Sequence, residues 1–227
     1  MLFFTPAVHS QVLISILLGD KLNSDKLEFG LDGGLNFSNI KGLPNSDKLM
    51  GFNLGFYFDI KLKNPSWMLN TGVIVKSPMG ADNLPVYSLN DPVLNNAFAG
   101  GSVSRKLRYF NVPIMMKHIF DNHIYVKGGA QLGLRSKAFD EFSNQVIDKE
   151  DLKYKLNIKN TIHPLDAGLA FGLGYRLMGG NGMNIGLQYY LGFVDIVIDN
   201  ASPRQYNRSL YITAGIPIGK SSRKKNE

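Results

Sequence analysis

Residues 26–38, KLEFGLDGGLNFS, decide the fold. Apolar side chains in this stretch alternate with polar residues and glycines, and a period of two is typical of a β-strand with one apolar and one polar face. Strands usually run about five or six residues, whereas a tilted strand needs about nine to eleven to cross the hydrocarbon layer of a bilayer. The length of the alternation therefore favours a strand that crosses a membrane. The apolar positions are Leu27, Phe29, Leu31, Leu35 and Phe37.

The same pattern recurs along the chain, and it is clearest around Phe52, Leu54 and Phe56, which alternate with Asn53 and Tyr57. The connections after the first, third, fifth and seventh predicted strands are longer than the others. Short turns at one end and longer loops at the other are typical of outer-membrane barrels. The sequence predicts an all-β, eight-stranded, antiparallel up-and-down transmembrane β-barrel with both termini in the periplasm. The predicted strands are 26–38, 48–62, 66–77, 104–120, 123–135, 160–177, 183–196 and 205–219.

The amino-acid composition is compatible with a membrane barrel and excludes sites that depend on cysteine. A chain of 227 residues is long enough for one domain with a sizeable core, and the absence of cysteine excludes disulfides, thiolate nucleophiles and cysteine-ligated zinc. A mean hydropathy of −0.08 fits a barrel whose polar lumen offsets its apolar wall. The net charge is +7, but the one dense basic run is the tail at 220–225, so nucleic-acid binding is not expected.

The two ends of the chain are predicted to lie outside the barrel. Residues 1–10 are interpreted as the end of a secretory signal peptide, with Val8 and Ser10 as the small residues before cleavage and Gln11 as the mature start. The apolar stretch is short and has no basic n-region before it, so the alternative to a signal peptide is an apolar N-terminal helix. The predicted organisation is completed by a periplasmic leader at 11–25, a barrel at 26–219 and a basic periplasmic tail at 220–227.

Alternation alone does not distinguish a membrane barrel from a soluble barrel with an apolar interior. The glycines favour a membrane barrel over a soluble one, because they recur on the polar face at positions such as Gly30, Gly34, Gly51 and Gly55. A narrow polar lumen needs small residues beside large ones, whereas a face in contact with water does not. Pro113 lacks the N–H that a central strand would use, so we expect a bulge there.

Six segments resemble the PorT-like outer-membrane β-barrel proteins of Bacteroidetes. The resemblance implies a small eight-stranded barrel without a catalytic motif, in a family whose namesake is associated with type IX secretion. One departure is Asn111, where the family often has an acidic residue before the Ile/Val-Pro step. The segments are GDKLNSDKLEFGLDGGLNFSNI (19–40), LNTGVIVKS (69–77), LRYFNVPIMMK (107–117), DAGLAFGLGYR (166–176), LQYYLGFVDI (187–196) and RSLYITAGIPIGK (208–220).

Charged residues on the polar faces form the candidate site in the lumen. Because an unpaired buried charge costs several kcal/mol, we expect opposite charges there to pair. Two interpretations remain open, a gate or binding site and an ion-pair plug that maintains the shape of the barrel. The predicted interior charge cluster is Glu28, Asp32, Asp59, Lys61, Lys117, Lys127, Asp166 and Arg176.

No catalytic, cofactor-binding or metal-binding residues are predicted. His163 is close in sequence to Asp166, but alternation directs the two side chains to opposite faces, and His118 and His123 flank a turn without metal-ligand spacing. We therefore expect a structural or interaction role, with the long loops 78–103 and 136–159 contacting a protein partner. Transport of a small apolar ligand through a lateral opening near Pro113 and a lipid-modifying enzyme are the alternatives.

Cations in the outer half of the barrel indicate a second kind of partner. They would lie at the height of lipopolysaccharide phosphates, to which charge-assisted hydrogen bonds are favourable. Acidic residues such as Asp140, Glu141 and Asp151 are interspersed, so a solvated surface is an equally good interpretation. The cations are Lys41, Lys48, Lys76, Arg105, Lys106, Arg108, Lys137, Lys153, Lys155, Lys159, Arg204 and Arg208. Aromatic residues at the two boundaries of the apolar wall suit interfacial girdles.

Overall fold

The computed structural model describes residues 24, 26–147, 150–180, 182–199 and 203–218. The predicted signal peptide with Ser10 and Gln11, the leader apart from residue 24, and the basic tail lie outside the described residues. The strands are β1 (Leu27–Lys41), β2 (Leu49–Lys61), β3 (Trp67–Lys76), β4 (Pro78–Leu84), β5 (Ser102–Ile119), β6 (Ile124–Ile147), β7 (Glu150–Asn157), β8 (Leu165–Arg176), β9 (Asn184–Gly192) and β10 (Tyr206–Pro217).

Eight of these strands close a ring in the order β1-β2-β3-β5-β6-β8-β9-β10, in which every neighbouring pair is antiparallel. The first and last strands pair with each other from Gly30 opposite Pro217 to Lys41 opposite Tyr206. The predicted fold class, an eight-stranded antiparallel barrel, is thus confirmed.

The strands β5 and β6 continue beyond the ring, where β4 pairs with β5 and β7 pairs with β6. We call β4, the outer parts of β5 and β6, β7 and the segment 85–101 the extension. The predicted loops 78–103 and 136–159 are therefore wrong, because they contain β4, β7 and the short helix α1 (Pro92–Ala97). Their polar composition belongs to the outer face, while Met79, Leu107 and Phe142 on the inner face are fully buried.

The two faces of the ring have the predicted directions. Apolar side chains on the outer wall are exposed, for example Phe52 at 46% and Leu173 at 58%, whereas Asn53 and Asp59 on the inner face are at 1% and 0%. This arrangement is the reverse of a soluble barrel, which would bury the apolar face and expose the polar one.

The predicted bulge at Pro113 is wrong. The β3–β5 ladder keeps its register across this position, with Thr71 opposite Ile114 and Ile74 opposite Asn111, and on the other side Pro113 is opposite Gln131. Proline removes a donor from the ladder, but the Thr71 hydroxyl donates a hydrogen bond to the Pro113 carbonyl over 2.8 Å. Within the ladders of the ring, register shifts occur at Leu54/Gly55 in β2 and at Arg108/Tyr109 in β5.

Three tight connections, after β2, β5 and β8, meet at one end of the ring, which we call the short-turn end. The turn after β8 has Met178 and Gly179 in the left-handed region, at φ 54° and 61°, as in the type I′ turns that suit the twist of hairpins. Among the described residues, no helix has the length and apolarity that a membrane crossing by a helix requires.

Candidate functional site in the lumen and the extension

An ion pair between Lys117 and Asp59 lies at the centre of the lumen's charged layer. The Lys117 Nζ is 2.7 Å from Asp59 Oδ2, and the Asn70 amide donates to Asp59 Oδ1 over 2.6 Å. The two charged side chains are 3% and 0% exposed, and the Lys117 Nζ lies 4.5 Å from the centre of the Tyr125 ring. The charges are desolvated, so each depends on the other.

A second buried pair, between Arg176 and Glu28, lies closer to the short-turn end. The Tyr57 hydroxyl donates to Glu28 Oε1 over 3.2 Å, and the Asn184 amide donates to the Tyr57 oxygen over 3.2 Å. The Asn184 carbonyl oxygen accepts from Lys117 Nζ over 3.4 Å, which connects the two pairs into one network. The hydrogen bonds and ion pairs of this network join β1, β2, β3, β5, β8 and β9, and they fix the relative positions of these six strands.

The remaining four residues of the predicted interior charge cluster lie at three different places in the barrel. Asp32 and Lys127 line a cavity of about 20 Å³ beside Lys117, which has room for about one water molecule. Lys61 lines an open groove at the short-turn end together with Arg176. Asp166 lies apart from this network and accepts a hydrogen bond from the Asn207 amide over 2.8 Å. Glu28, Asp59, Lys117 and Arg176 are thus brought together in the network, while Asp166 is not.

The outer half of the lumen is filled by a layer of large polar side chains. Tyr109, Tyr190 and Tyr211 are each 1% exposed, and the Gln188 amide donates to the Gln131 carbonyl oxygen over 3.3 Å. This layer was not part of the predicted site, although tyrosines at inward positions of three strands were a usable signal. Together with the charged network, these side chains occlude the lumen.

In the extension, the fully buried Asp140 forms an ion pair with Arg105, whose side chain is 16% exposed. The Arg105 Nε and Nη2 donate to Asp140 Oδ1 and Oδ2 over 2.9 and 2.8 Å, and the Tyr87 hydroxyl donates to Oδ2 over 2.9 Å. Burial raises the pKa of the Tyr87 hydroxyl, and the neighbouring Asp140 carboxylate raises it further. The interpretation of Asp140 as a solvated surface acid is wrong, because its side chain is 0% exposed. Arg105 lies in the predicted strand 104–120, whereas its ladder partner Asp140 lies in residues 136–159, which were predicted as a loop, so the pair was not predicted.

Arg105→Met is expected to loosen segment 85–101 while the ring stays intact. The substitution removes two charge-assisted hydrogen bonds and leaves Asp140 buried with only the Tyr87 hydroxyl as a donor, and breaking such a pair costs about 3–5 kcal/mol. Hydrogen exchange of the refolded protein should show faster exchange in segment 85–101 than in β1, β9 and β10. Lys106→Met, which removes a partly exposed pair with Glu141, is the control and should change exchange little. Uniformly faster exchange with Arg105→Met would contradict this prediction.

Among the described residues, no hydrogen bond or ion pair joins a histidine side chain to an acidic side chain. The His163 backbone N–H donates to the Ile196 carbonyl over 2.8 Å, while the Asp166 side chain is buried in the lumen. The His118 ring packs between Trp67 and Phe120, with both ring centres at 4.6 Å. In the parts of the chain that the structure describes, no group of three His, Asp or Glu side chains is arranged to hold a metal ion.

Comparison with known proteins identifies the family. Residues 20–197 match the model of the family described as outer membrane protein beta-barrel domain. The chain belongs to this family. As an outer-membrane barrel, it turns its exposed apolar wall to lipid, and Trp67, Phe120 and Tyr175 lie at the short-turn edge of that wall, exposed by 42%, 45% and 44%.

Three solved outer-membrane proteins are similar to this outer-membrane barrel at low identity. Ail of Yersinia pestis is 13% identical over 85% of this chain and 99% of that chain, with a TM-score of 0.43. The Neisserial surface protein A is 12% identical over 84% and 96%, with a TM-score of 0.43. OprG of Pseudomonas aeruginosa is 12% identical over 85% and 93%, with a TM-score of 0.35. No curated protein matches the chain.

Proposed function

We propose that this outer-membrane barrel has no enzymatic activity and anchors a folded platform, the extension, which binds a protein partner. The observation that carries the proposal is the contrast between the two parts of the molecule. The lumen is occluded by the Lys117–Asp59 network and by the tyrosine layer, which favours a role other than solute passage. An eight-stranded barrel has an interior that side chains just fill.

The extension has the rigidity that a binding platform needs. Phe98, Val103 and Phe142 are buried to 1% or less within it, and the Arg105–Asp140 pair ties β5 to β6. The resemblance to PorT-like proteins supports a partner in a secretion or assembly complex, with type IX secretion as the specific proposal. The alternation of long and short connections supports an orientation with the extension outside the cell and both termini in the periplasm.

Neither alternative function gains a specific observation in its favour. Lateral passage of an apolar ligand was expected to need a gap at Pro113, where the strands instead stay in register. A lipid-modifying enzyme would need His163 beside an acid or a hydroxyl nucleophile at the rim, and among the described residues no hydrogen bond or ion pair to the His163 side chain supports this.

Single cysteines test the orientation and the platform together, because the chain contains no other cysteine. Gln145→Cys, at an exposed position near the tip of the extension, should react with a membrane-impermeant maleimide in intact cells. A photoactivatable crosslinker on this cysteine should give one discrete adduct in native outer membranes. Lys63→Cys, exposed in the turn after β2, is the matched control and should react only after the outer membrane is permeabilised.

Two results would contradict the proposal. Equal crosslinking from Gln145→Cys and Lys63→Cys would show that the extension has no preferred partner. Uptake of small solutes by liposomes containing the purified barrel, beyond that of empty liposomes, would show that the lumen opens and would favour transport.

A further inference from the structure

A basic surface lies on the outer face of the extension, where β5, β6 and β7 leave the ring. Arg108 and Lys137 are directly opposite each other in the β5–β6 ladder, and both are exposed. Like charges directly opposite each other destabilise a sheet. In the described part of the chain, no carboxylate lies within ion-pair distance of either side chain. Among the described residues the repulsion is therefore uncompensated, as expected where an external anion binds.

An aromatic floor and a groove accompany these charges. The Arg108 guanidinium carbon and the Lys155 Nζ lie 5.8 and 5.7 Å from the centre of the Phe139 ring. Lys137, Phe139, Lys155 and Lys159 line a groove of about 380 Å³. The groove lies where the pairing partner of β6 changes. As far as Leu134, β6 pairs with β8, and from Phe139 onward it pairs with β7.

Lys159 is held in place by a neighbouring strand. The Arg135 guanidinium donates to the backbone carbonyl of Lys159 and, over 2.5 Å, to that of Ile162. These bonds fix the short 3-10 helix Lys159–Thr161 against β6. Glu141 pairs with Lys106 and Lys155 on the far side of Phe139, over 2.7 and 3.3 Å. The uncompensated charge is therefore concentrated on Arg108, Lys137 and Lys159.

The height of the basic surface indicates its ligand. Immediately on the membrane side, Phe110 in β5, Leu134 in β6 and Leu165 in β8 are exposed by 43%, 53% and 62% and form the edge of the lipid-facing wall. Charges directly beyond that edge lie where lipid headgroups lie. We propose that Arg108, Lys137 and Lys159 bind the phosphate of an anionic lipid headgroup from the leaflet on the side of the extension. This site does not depend on the proposed protein partner.

Retention of lipid by the purified barrel tests the site. The probes are diphosphoryl lipid A and monophosphoryl lipid A in neutral detergent micelles, and bound lipid is quantified by native mass spectrometry. The wild-type protein should retain the diphosphoryl form preferentially. The triple variant Arg108→Gln/Lys137→Gln/Lys159→Gln should retain on the order of a hundredfold less, since each of the three basic residues near a lipid surface contributes about fivefold.

The control variant also removes three positive charges, but from a different place at the end of the ring that carries the extension. Lys41→Gln/Lys48→Gln/Arg204→Gln removes three exposed cations, one at the end of β1 and two in the connections after β1 and β9. It should retain lipid as the wild type does, and an equal loss would overturn the site in favour of general attraction. Lys137→Gln alone, with an expected loss of about fivefold, serves if the triple variant fails to fold. If inositol hexakisphosphate competes as strongly in detergent as lipid A binds, the ligand is a soluble phosphate and the lipid assignment is wrong.

Discussion

Lys117→Met is expected to lower the free energy of unfolding of the barrel by about 3–5 kcal/mol. The methionine fills similar space but leaves Asp59 charged, 0% exposed and bonded only to the Asn70 amide. An uncompensated charge in the lumen is the physical cause of the loss. Urea unfolding in lipid vesicles, followed by heat-modifiable gel migration and by the fluorescence of Trp67, the single tryptophan, measures the change.

Two controls separate charge from packing in this experiment. Lys63→Met, in the exposed turn after β2, should change the unfolding free energy by no more than about 0.5 kcal/mol. Lys117→Met/Asp59→Asn removes both charges and should recover most of the loss, because the two effects are coupled through one pair. A loss below about 1 kcal/mol for Lys117→Met alone would mean that water replaces the lysine.

Gly34→Ala is expected to destabilise the barrel by about 3 kcal/mol or more. Gly34 has φ +154°, and a Cβ on it would lie 1.9 Å from the Ile212 carbonyl oxygen, a backbone atom of β10. The methyl group cannot be accommodated without separating β1 from β10. The midpoint of urea unfolding and the fraction of refolded protein on a gel both report the effect.

Gly33→Ala is the matched control for this substitution. The nearest atom to a Cβ at Gly33 is the Asn53 carbonyl oxygen at 3.5 Å, an ordinary contact. Stability should stay the same or rise by up to about 1 kcal/mol, because alanine restricts the unfolded chain. Similar destabilisation by Gly33→Ala and Gly34→Ala would show that β1–β10 closure is less tightly packed than the structure has it.

The local alternation of apolar and polar residues was sufficient to predict the eight-stranded ring. The outward directions of Phe52 and Leu54 and the inward direction of Asp59 follow from a period of two, which depends on nearest neighbours in sequence. The same rule places Glu28 and Arg176 in the lumen. It does not predict that they pair, since they are 148 residues apart and meet only through the register of the closed sheet.

The extension could not be predicted in the same way. The segments 78–84 and 150–157 are short and rich in polar residues, and they become strands only because β5 and β6 continue and offer them edges. The burial of Asp140 depends on those same ladders. The absence of a bulge at Pro113 could not be predicted either, because it depends on the register with β3 and β6, strands that lie elsewhere in the sequence.

The ring is closed by pairing between β1 and β10, the first and last strands of the transmembrane part of the chain. A nascent sheet of this kind keeps two open edges until its final strand arrives, and each unpaired N–H or C=O group in hydrocarbon costs several kcal/mol. Because this contact spans nearly the full sequence, it is also the entropically most demanding step of assembly. We therefore expect residues 206–217 to complete insertion, and a chain truncated before them to leave two unpaired strand edges in the bilayer.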